Sequence, residues 1–126
     1  MSEFWYLATP YSKYAGGIYD AFLLAVHTRG FLLKANIPCF SPIIHSHSVA
    51  MECDLDPYDH TIWLPSEAPL MAAAFGLIVV MADGWQESYG IGEEITAFVA
   101  SHRPIIYMHP QTVPQELLEW RLNFPR

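Results

Sequence analysis

Two glutamates, Glu67 and Glu94, are the residues of this sequence best suited to nucleophilic and acid–base chemistry. Glu67 opens a predicted short helix, and Glu94 lies in the second turn of the helix after the most apolar predicted strand. Two carboxyls about 5 Å apart can cleave a glycosidic bond, one as nucleophile and the other as general acid. On spacing alone each has a simpler explanation, because helix dipoles favour acids near helix starts and capping boxes use glutamate.

The segment that leads into Glu94 has the composition of an anion site. Ser88, Gly90 and Gly92 lie at the predicted start of a helix, where backbone N–H groups and the positive end of the dipole face a ligand. The alternative is that Ser88 is only an N-cap. The glycine spacing in this sequence differs from the G-x-G-x-x-G fingerprint of dinucleotide-binding proteins. Because donors are close, we expect the Glu94 carboxyl to stay ionised at neutral pH.

Histidines and aromatic residues raise two further questions about ligands. His45 and His47 lie in an acidic stretch with His60, but no cysteine pair or H-E-x-x-H helix supports zinc. The alternatives are hydrogen bonding of a substrate by one imidazole, or histidines without a ligand. We predict no metal and no organic cofactor. Four aromatic residues have two possible roles: Tyr6, Tyr11, Trp63 and Trp85. Such residues usually pack in the core or at its rim, but a flat heterocyclic ligand would also stack on one or two of them.

Short apolar runs alternate with helical patterns, which predicts an α/β fold. Strands are expected at 4–8, 37–41, 76–82 and 104–108, and helices at 18–35, 59–63, 66–75, 88–101 and 113–122. Residues 42–58 are predicted to form a long loop. This order indicates three α/β/α layers around an open, mostly parallel, flavodoxin- or Rossmann-like sheet of four to five strands. Ligands bind such sheets at the carboxyl ends of the strands, where the candidate residues lie.

Composition excludes several classes of function. The chain has 126 residues, which predicts a single domain over 1–126, and 52% of them are hydrophobic. A net charge of −7 argues against nucleic-acid polymers and anionic membranes as partners. No apolar run is long enough to span a bilayer, and the first residues lack the pattern of a signal peptide. Two cysteines are too few for a disulfide framework, so we expect reduced thiols and a cytoplasmic location.

Four segments together resemble an uncharacterised bacterial and phage family, the DUF1937 proteins. They are YLATPYS (6–12), SPIIHSH (41–47), DPYDHTIW (56–63) and GWQESYGIGEEI (84–95). That family resembles a branch of the nucleoside 2-deoxyribosyltransferase superfamily, which includes nucleoside 5′-monophosphate N-glycosidases. The resemblance implies a small nucleoside or nucleotide as partner, and a homodimer or higher homo-oligomer with active sites at its interfaces.

The resemblance also implies a role for individual residues. Glu94 matches the glutamate that attacks C1′ of the sugar, and Tyr6 matches the tyrosine that orients it. Ser88 matches the serine that binds a 5′-phosphate, and Gly90 and Gly92 match glycines that let the backbone approach it. Ser12 lies in the first loop, which holds the sugar or phosphate in the superfamily, and Tyr11 is beside it. For the base we expect contacts from His45 and Trp85.

The sequence departs from the superfamily at two positions. Glu67 stands where an aspartate is usual, and Phe75 stands where a second aspartate is usual. Asp59 is therefore an alternative to Glu67 as general acid. The predicted function is hydrolysis of the N-glycosidic bond of a (deoxy)ribonucleoside 5′-monophosphate through a glutamyl-glycosyl intermediate. A 2-deoxyribosyltransferase and a non-catalytic nucleotide-binding module are the alternatives.

Overall fold

The computed structural model describes residues 3–123, which form five helices and a four-stranded sheet. The strands are β1 (Trp5–Ala8), β2 (Cys39–Phe40), β3 (Gly76–Val80) and β4 (Ile105–Met108). The helices are α1 (Ile18–Lys34), α2 (Pro42–Cys53), α3 (His60–Ala73), α4 (Tyr89–Ala100) and α5 (Gln115–Asn123). A single 3-10 turn, Trp85–Glu87, lies between β3 and α4.

All strand pairs are parallel, in the order β2-β1-β3-β4. From β1 the chain first moves outward to β2 and then returns past β1 to β3, so the strand order reverses between β1 and β3. In open α/β sheets the crevice outside the carboxyl ends of such a strand pair is the usual ligand site. The predicted fold class is confirmed, with a sheet of four strands.

The core has one cluster on each face of the sheet, which explains the continuous apolar run of β3. Ile78 and Val80 pack on one face with residues of α1 and α5, whereas Leu77 and Val79 pack on the other with Ile91 and Phe98 of α4. All five residues of β3 are buried because helices cover both faces. Tyr6 of β1 is on the α4 side, which is the side that carries the candidate site.

The long loop predicted after β2 is wrong, because residues 42–53 form helix α2. Ser41 caps it by accepting a hydrogen bond from the Ile44 amide at 3.2 Å, and Pro42 fits the first turn, where its missing N–H costs nothing. Ser46 and His47 are buried on the inner side of α2. Because these inner positions carry polar residues, the helix lacks the apolar periodicity that would have predicted it.

The two short helices predicted over 59–75 are wrong as well, because α3 is one continuous helix. Asp59 caps it, with the Thr61 amide donating at 3.0 Å. Ser66 lies inside the helix and caps nothing. Pro65 and Pro69 are exposed and four residues apart on one side of α3, where water can reach the carbonyls that each proline leaves without a donor.

The sequence predicts reduced cysteines and no membrane-spanning segment. Cys39 and Cys53 are both free thiols, one buried and one exposed. Within residues 3–123 no helix has the length and apolar character needed to cross a membrane.

Candidate functional site

A cavity of about 220 Å³ opens beside the carboxyl end of β1. Its floor is Tyr6 of the strand and Thr9 of the following loop, and the other walls come from the starts of α2 and α4 and from residues 57–71. Parallel strands end together and helices begin just beyond them, so distant segments of chain meet at this edge. Of the predicted site residues, the cavity is lined by Tyr6, Tyr11, Ser12, Glu67, Ser88, Gly90 and Glu94.

Glu67 is a buried acid that α3 aims into the cavity. One turn before it, Trp63 is buried and its Nε1 donates to the Asp56 carbonyl oxygen at 2.9 Å, which holds α3 in place. The Oε2 atom of Glu67 is buried and accepts no hydrogen bond from the described residues. Burial raises the pKa of Glu67 to about 7. This carboxyl therefore changes its protonation near neutral pH, as a general acid or base must.

Glu94 lies in the second turn of α4, on the side that faces the cavity. Burial, and then the neighbouring Glu67 carboxyl, raise the pKa of Glu94 well above its ordinary value. The expectation that Glu94 stays ionised through nearby helix donors is wrong. The free N–H groups belong to the first turn of α4, one turn away, and Ser88 already satisfies the Ile91 amide at 3.3 Å.

The Tyr6 hydroxyl shares the cavity with both carboxyls. Tyr6 is 2% exposed, and burial, Glu94 and Glu67, in that order, raise its pKa. The phenol therefore keeps its proton at any physiological pH. A protonated hydroxyl next to two acids is a hydrogen-bond donor that can hold one of them in place when it is ionised.

The start of α4 forms another wall of the cavity. Gly84, in the left-handed region with φ of 82°, turns the chain after β3 so that α4 begins at the sheet edge. Ser88 and Gly90 line the cavity there, and a Cβ built on Gly90 meets no other atom within 4 Å. The His60 ring also lines this end and lies 4.9 Å from the Tyr89 ring. This wall presents helix N–H groups and an imidazole to a ligand.

Comparison with known families identifies the segment that builds this cavity. The model of DUF1937, a domain of unknown function, matches residues 3–110, which include every residue that lines the cavity. The chain belongs to the DUF1937 family. No curated protein matches it.

In this DUF1937 chain, four predicted site residues lie outside the cavity lining. Asp59 is occupied as the cap of α3, and its Oδ1 accepts from the Thr61 hydroxyl at 2.6 Å. Trp85 packs edge-on to Tyr107 at 5.8 Å, and Gly92 does not line the cavity. His45 is exposed, with its Nδ1 3.9 Å from Glu67 Oε2. His45 thus reaches the acid from outside the cavity, and its predicted contact with a base stays untested.

Thr9 lines the cavity but is not among the predicted site residues, and the bond between Tyr11 and His47 was not predicted either. Thr9 is 4% exposed, and its hydroxyl has no hydrogen-bond partner among the described residues. Tyr11 donates or accepts one short bond to His47, at 2.6 Å, across 36 residues of chain. The T-P-Y-S loop after β1 was a signal for Thr9, because polar loop residues at a strand end often contact ligands. No sequence signal pairs Tyr11 with His47.

The histidine-rich stretch that suggested a metal is dispersed in the fold. His47 is buried under α1, His45 is exposed on α2, and His60 begins α3. Across residues 3–123 no group of three or more His, Cys, Asp or Glu side chains is placed to hold a metal ion.

Proposed function

We propose that this DUF1937 protein hydrolyses the N-glycosidic bond of a nucleoside 5′-monophosphate. The observation that carries the proposal is the pair of acids, Glu67 and Glu94, in one cavity that is also lined by the N-terminus of α4. Two carboxyls supply both catalytic groups of glycoside cleavage, and the helix start supplies donors for a phosphate. The resemblance of Tyr6, Ser88 and Glu94 to the nucleoside 2-deoxyribosyltransferase superfamily supports the same assignment.

In the first step an oxygen of ionised Glu94 attacks C1′ of the sugar. The C1′–N bond breaks, its electron pair goes to the base, and protonated Glu67 gives the base a proton. In the second step Glu67, now ionised, takes a proton from water. That water attacks C1′, the ester to Glu94 breaks, and the products are free base and sugar 5-phosphate. Neither step requires a metal or an organic cofactor.

The protonation of the pair suits this division of roles. Glu67 titrates near pH 7, and its charge makes a second ionisation at Glu94 harder. Over the neutral range the two carboxyls therefore share one proton. The active form places that proton on Glu67. Positive charge developing on the sugar favours the ionised form of Glu94, and the Tyr6 hydroxyl can donate to it.

The cavity lining favours a nucleotide with a single phosphate over a polyphosphate. Among the described residues that line it, none is Lys or Arg, and Glu93 adds a third acid at the rim. The donors that can contact a phosphate here are limited to the N–H groups at the start of α4, the Ser88 hydroxyl and the His60 ring. Tyr58 and Trp63 supply rings against which a flat base can pack.

The two departures from the superfamily have different consequences in the fold. Phe75 packs edge-on to Trp5, with ring centroids 5.3 Å apart. It stands where the superfamily usually has its second aspartate, so this position has an apolar packing role here. Glu67, in contrast, lines the cavity. We therefore assign the general acid to Glu67 and a capping role to Asp59.

The proposal is tested by incubating the protein with a panel of ribo- and deoxyribonucleoside 5′-monophosphates and following free base by chromatography. We expect base release by the wild type, none by Glu94→Gln, and full release by Glu119→Gln, an exposed acid of α5 that does not line the cavity. Full activity of Glu94→Gln contradicts the proposal. A second reaction with an added free base separates the alternatives, because base exchange identifies a transferase. Binding of a nucleotide without release or exchange identifies a binding module.

Self-association is a separate proposal, which rests on the superfamily resemblance. The molar mass in solution, measured by light scattering, tests it directly. A mass of about 14.3 kDa, that of one chain, contradicts it.

A further inference from the structure

A buried hydrogen bond joins Tyr11, in the loop after β1, to His47 in α2. The Tyr11 Oη and His47 Nδ1 atoms are 2.6 Å apart. Tyr11 lines the cavity, whereas His47 does not. The histidine therefore acts on a ligand only through the tyrosine.

The histidine is fixed on its far side by α1. Its ring stacks on Phe22, with centroids 4.6 Å apart and an interplanar angle of 22°. The ring meets Tyr11 edge-on, with centroids 5.7 Å apart and an angle of 79°. His47 is 5% exposed. A ring held this way has little freedom to turn, so the direction of the bond to Tyr11 is set by the packing of α1 and α2.

Both members of the pair are neutral. Burial, and then Tyr58, raise the pKa of Tyr11 to about 12, and burial lowers the pKa of His47. A single proton lies between the two atoms. A phenol O–H is a stronger donor than a neutral imidazole N–H, and an imidazole nitrogen is a strong acceptor. The proton in the bond therefore belongs to Tyr11, and His47 carries its own proton on Nε2.

A tyrosine oxygen whose proton is engaged can offer only lone pairs to the cavity. We propose that the Tyr11 oxygen, whose proton is held in the bond to His47, selects ligands that carry a hydrogen-bond donor at this end of the cavity. The ligand donor is a sugar hydroxyl or an amino group on the base. Thr9, two residues earlier, has a buried hydroxyl without a partner among the described residues, a second polar group at this end that no protein contact satisfies.

In this proposal Tyr11 is a binding residue and His47 is a positioning residue. The choice of nucleotides as probes rests on the proposed function. The hydrogen-bond geometry does not depend on it.

The test is calorimetric titration in the Glu94→Gln background, where turnover cannot consume the ligand. Four probes are used: adenosine 5′-monophosphate, its 2′-deoxy and 2′,3′-dideoxy analogues, and purine riboside 5′-monophosphate, which lacks the amino group. We expect one missing donor to weaken binding by about 10- to 100-fold, because it leaves Tyr11 without a ligand partner. The probe that loses affinity identifies the donor as a 2′-hydroxyl, a 3′-hydroxyl or an amine.

Variants at the pair separate a positioning role from a structural one. Tyr11→Phe and His47→Leu are expected to bind all four probes equally. His47→Asn is expected to restore the preference, because its side-chain oxygen takes the place of Nδ1 as acceptor. His27→Leu, an exposed histidine of α1, is the matched control and keeps the wild-type preference. Nitrogen NMR of the wild type without ligand checks the tautomer, and a proton on Nδ1 of His47 overturns the inference.

The outcomes distinguish this inference from the proposed function. Equal affinity of the Glu94→Gln protein for all four probes overturns the inference and leaves hydrolysis possible. Selective binding with no base release by the wild type supports the inference and contradicts hydrolysis. Absence of binding to any of the four contradicts both.

Discussion

Burial raises the pKa of the Glu94 carboxyl, and the Glu67 carboxyl in the same cavity raises it further, although the two acids come from the helices that precede and follow β3 in the chain. Glu67 itself is raised to about 7 by burial alone. The two groups therefore lose their protons in sequence, and the site keeps one proton over the neutral range. A pair in which one carboxyl is charged and the other protonated is the state that glycosidic cleavage requires.

The first prediction concerns the rate above neutral pH. Because the active form has one proton on the pair, the rate of base release is expected to rise as the pH rises through about 7, where the pair loses its first proton, and to fall only at higher pH, where the second proton leaves. Glu67→Gln is expected to lower the rate by roughly 100-fold or more and to remove this alkaline limb. Initial rates from pH 5 to 9 measure both.

A substrate with a charged leaving group provides the control for that prediction. 7-Methylguanosine 5′-monophosphate has a cationic base that leaves without further protonation. Glu67→Gln is expected to retain most of its activity on this substrate. An equal loss on both substrates contradicts the general-acid role of Glu67.

The second prediction concerns stability, with the sign set by the raised pKa of Glu67. In the unfolded chain Glu67 ionises near 4.5, but in the folded chain it ionises near 7. Its contribution to stability is fully present below pH 4.5 and is lost as the pH rises through 7. The cost at pH 8 is on the order of 3 kcal/mol for this shift. Thermal unfolding of Glu67→Gln relative to wild type is therefore expected to show a gain that grows from pH 5 to pH 8.

The control for the stability prediction is Glu93→Gln, which removes an exposed acid one residue from Glu94. Its difference from the wild type is expected to stay nearly constant with pH. A Glu67→Gln gain that shrinks toward pH 8 is the result that excludes a raised pKa for this acid.

Much of the fold could be predicted because its signals are local. The apolar run of β3 and the Ser88 cap of α4 depend on neighbouring residues, and both are confirmed. Helix α2 escaped prediction because its inner side carries Ser46 and His47 where apolar residues are usual. Helix α3 continues through Pro65 because water can reach the carbonyl that this proline leaves without a donor. The spacing of apolar residues gives no information on this solvent exposure.

In the candidate site, too, some features have local sequence signals and others depend on contacts made only in the fold. Ser88 and Glu94 could be found because their positions follow from the start of α4, whereas the helix start predicted before Glu67 is wrong and Glu67 lies in the middle of α3. The raised pKa of Glu94 could not be predicted, since it depends first on the burial of Glu94 and then on the Glu67 carboxyl from another helix. The bond between Tyr11 and His47 joins two elements that only the parallel sheet brings together. Both features depend on which residues the fold brings together and buries, and residue spacing in the sequence does not give this information.

The third prediction uses two glycines of α4 that differ only in their relation to the cavity. Gly90 lines the cavity and Gly92 does not, and a Cβ on either meets no atom within 4 Å. Alanine at each position is expected to stabilise the helix by up to about 1 kcal/mol. Gly90→Ala is expected to weaken nucleotide binding by about tenfold or more, because its methyl group lies between the ligand and the helix N–H groups. Gly92→Ala is expected to bind normally, and equal effects on binding contradict a phosphate at this wall.

The fourth prediction separates two roles of Ser88. Its Oγ caps α4 by accepting from the Ile91 amide at 3.3 Å, so Ser88→Ala is expected to cost about 1 kcal/mol of stability. Ser88→Asp keeps the cap and is expected to unfold near the wild-type temperature. Its negative charge repels a phosphate, so nucleotide affinity is expected to fall more in Ser88→Asp than in Ser88→Ala. Thermal unfolding and titration calorimetry measure the two effects, and the opposite ranking of affinities argues that Ser88 is a cap alone.

The fifth prediction concerns the Tyr6 hydroxyl, which both carboxyls influence. Tyr6→Phe retains the ring that packs 6.3 Å from Phe98, so its stability is expected to change by less than about 1 kcal/mol. Without the hydroxyl, ionised Glu94 loses a donor that holds it toward C1′. We expect kcat to fall by roughly 10- to 100-fold while KM changes little, since orientation acts mainly on the transition state. Tyr107→Phe, an exposed tyrosine of β4, is the matched control. A higher KM at unchanged kcat instead places the Tyr6 hydroxyl against the substrate, and an unchanged rate removes it from the catalytic machinery.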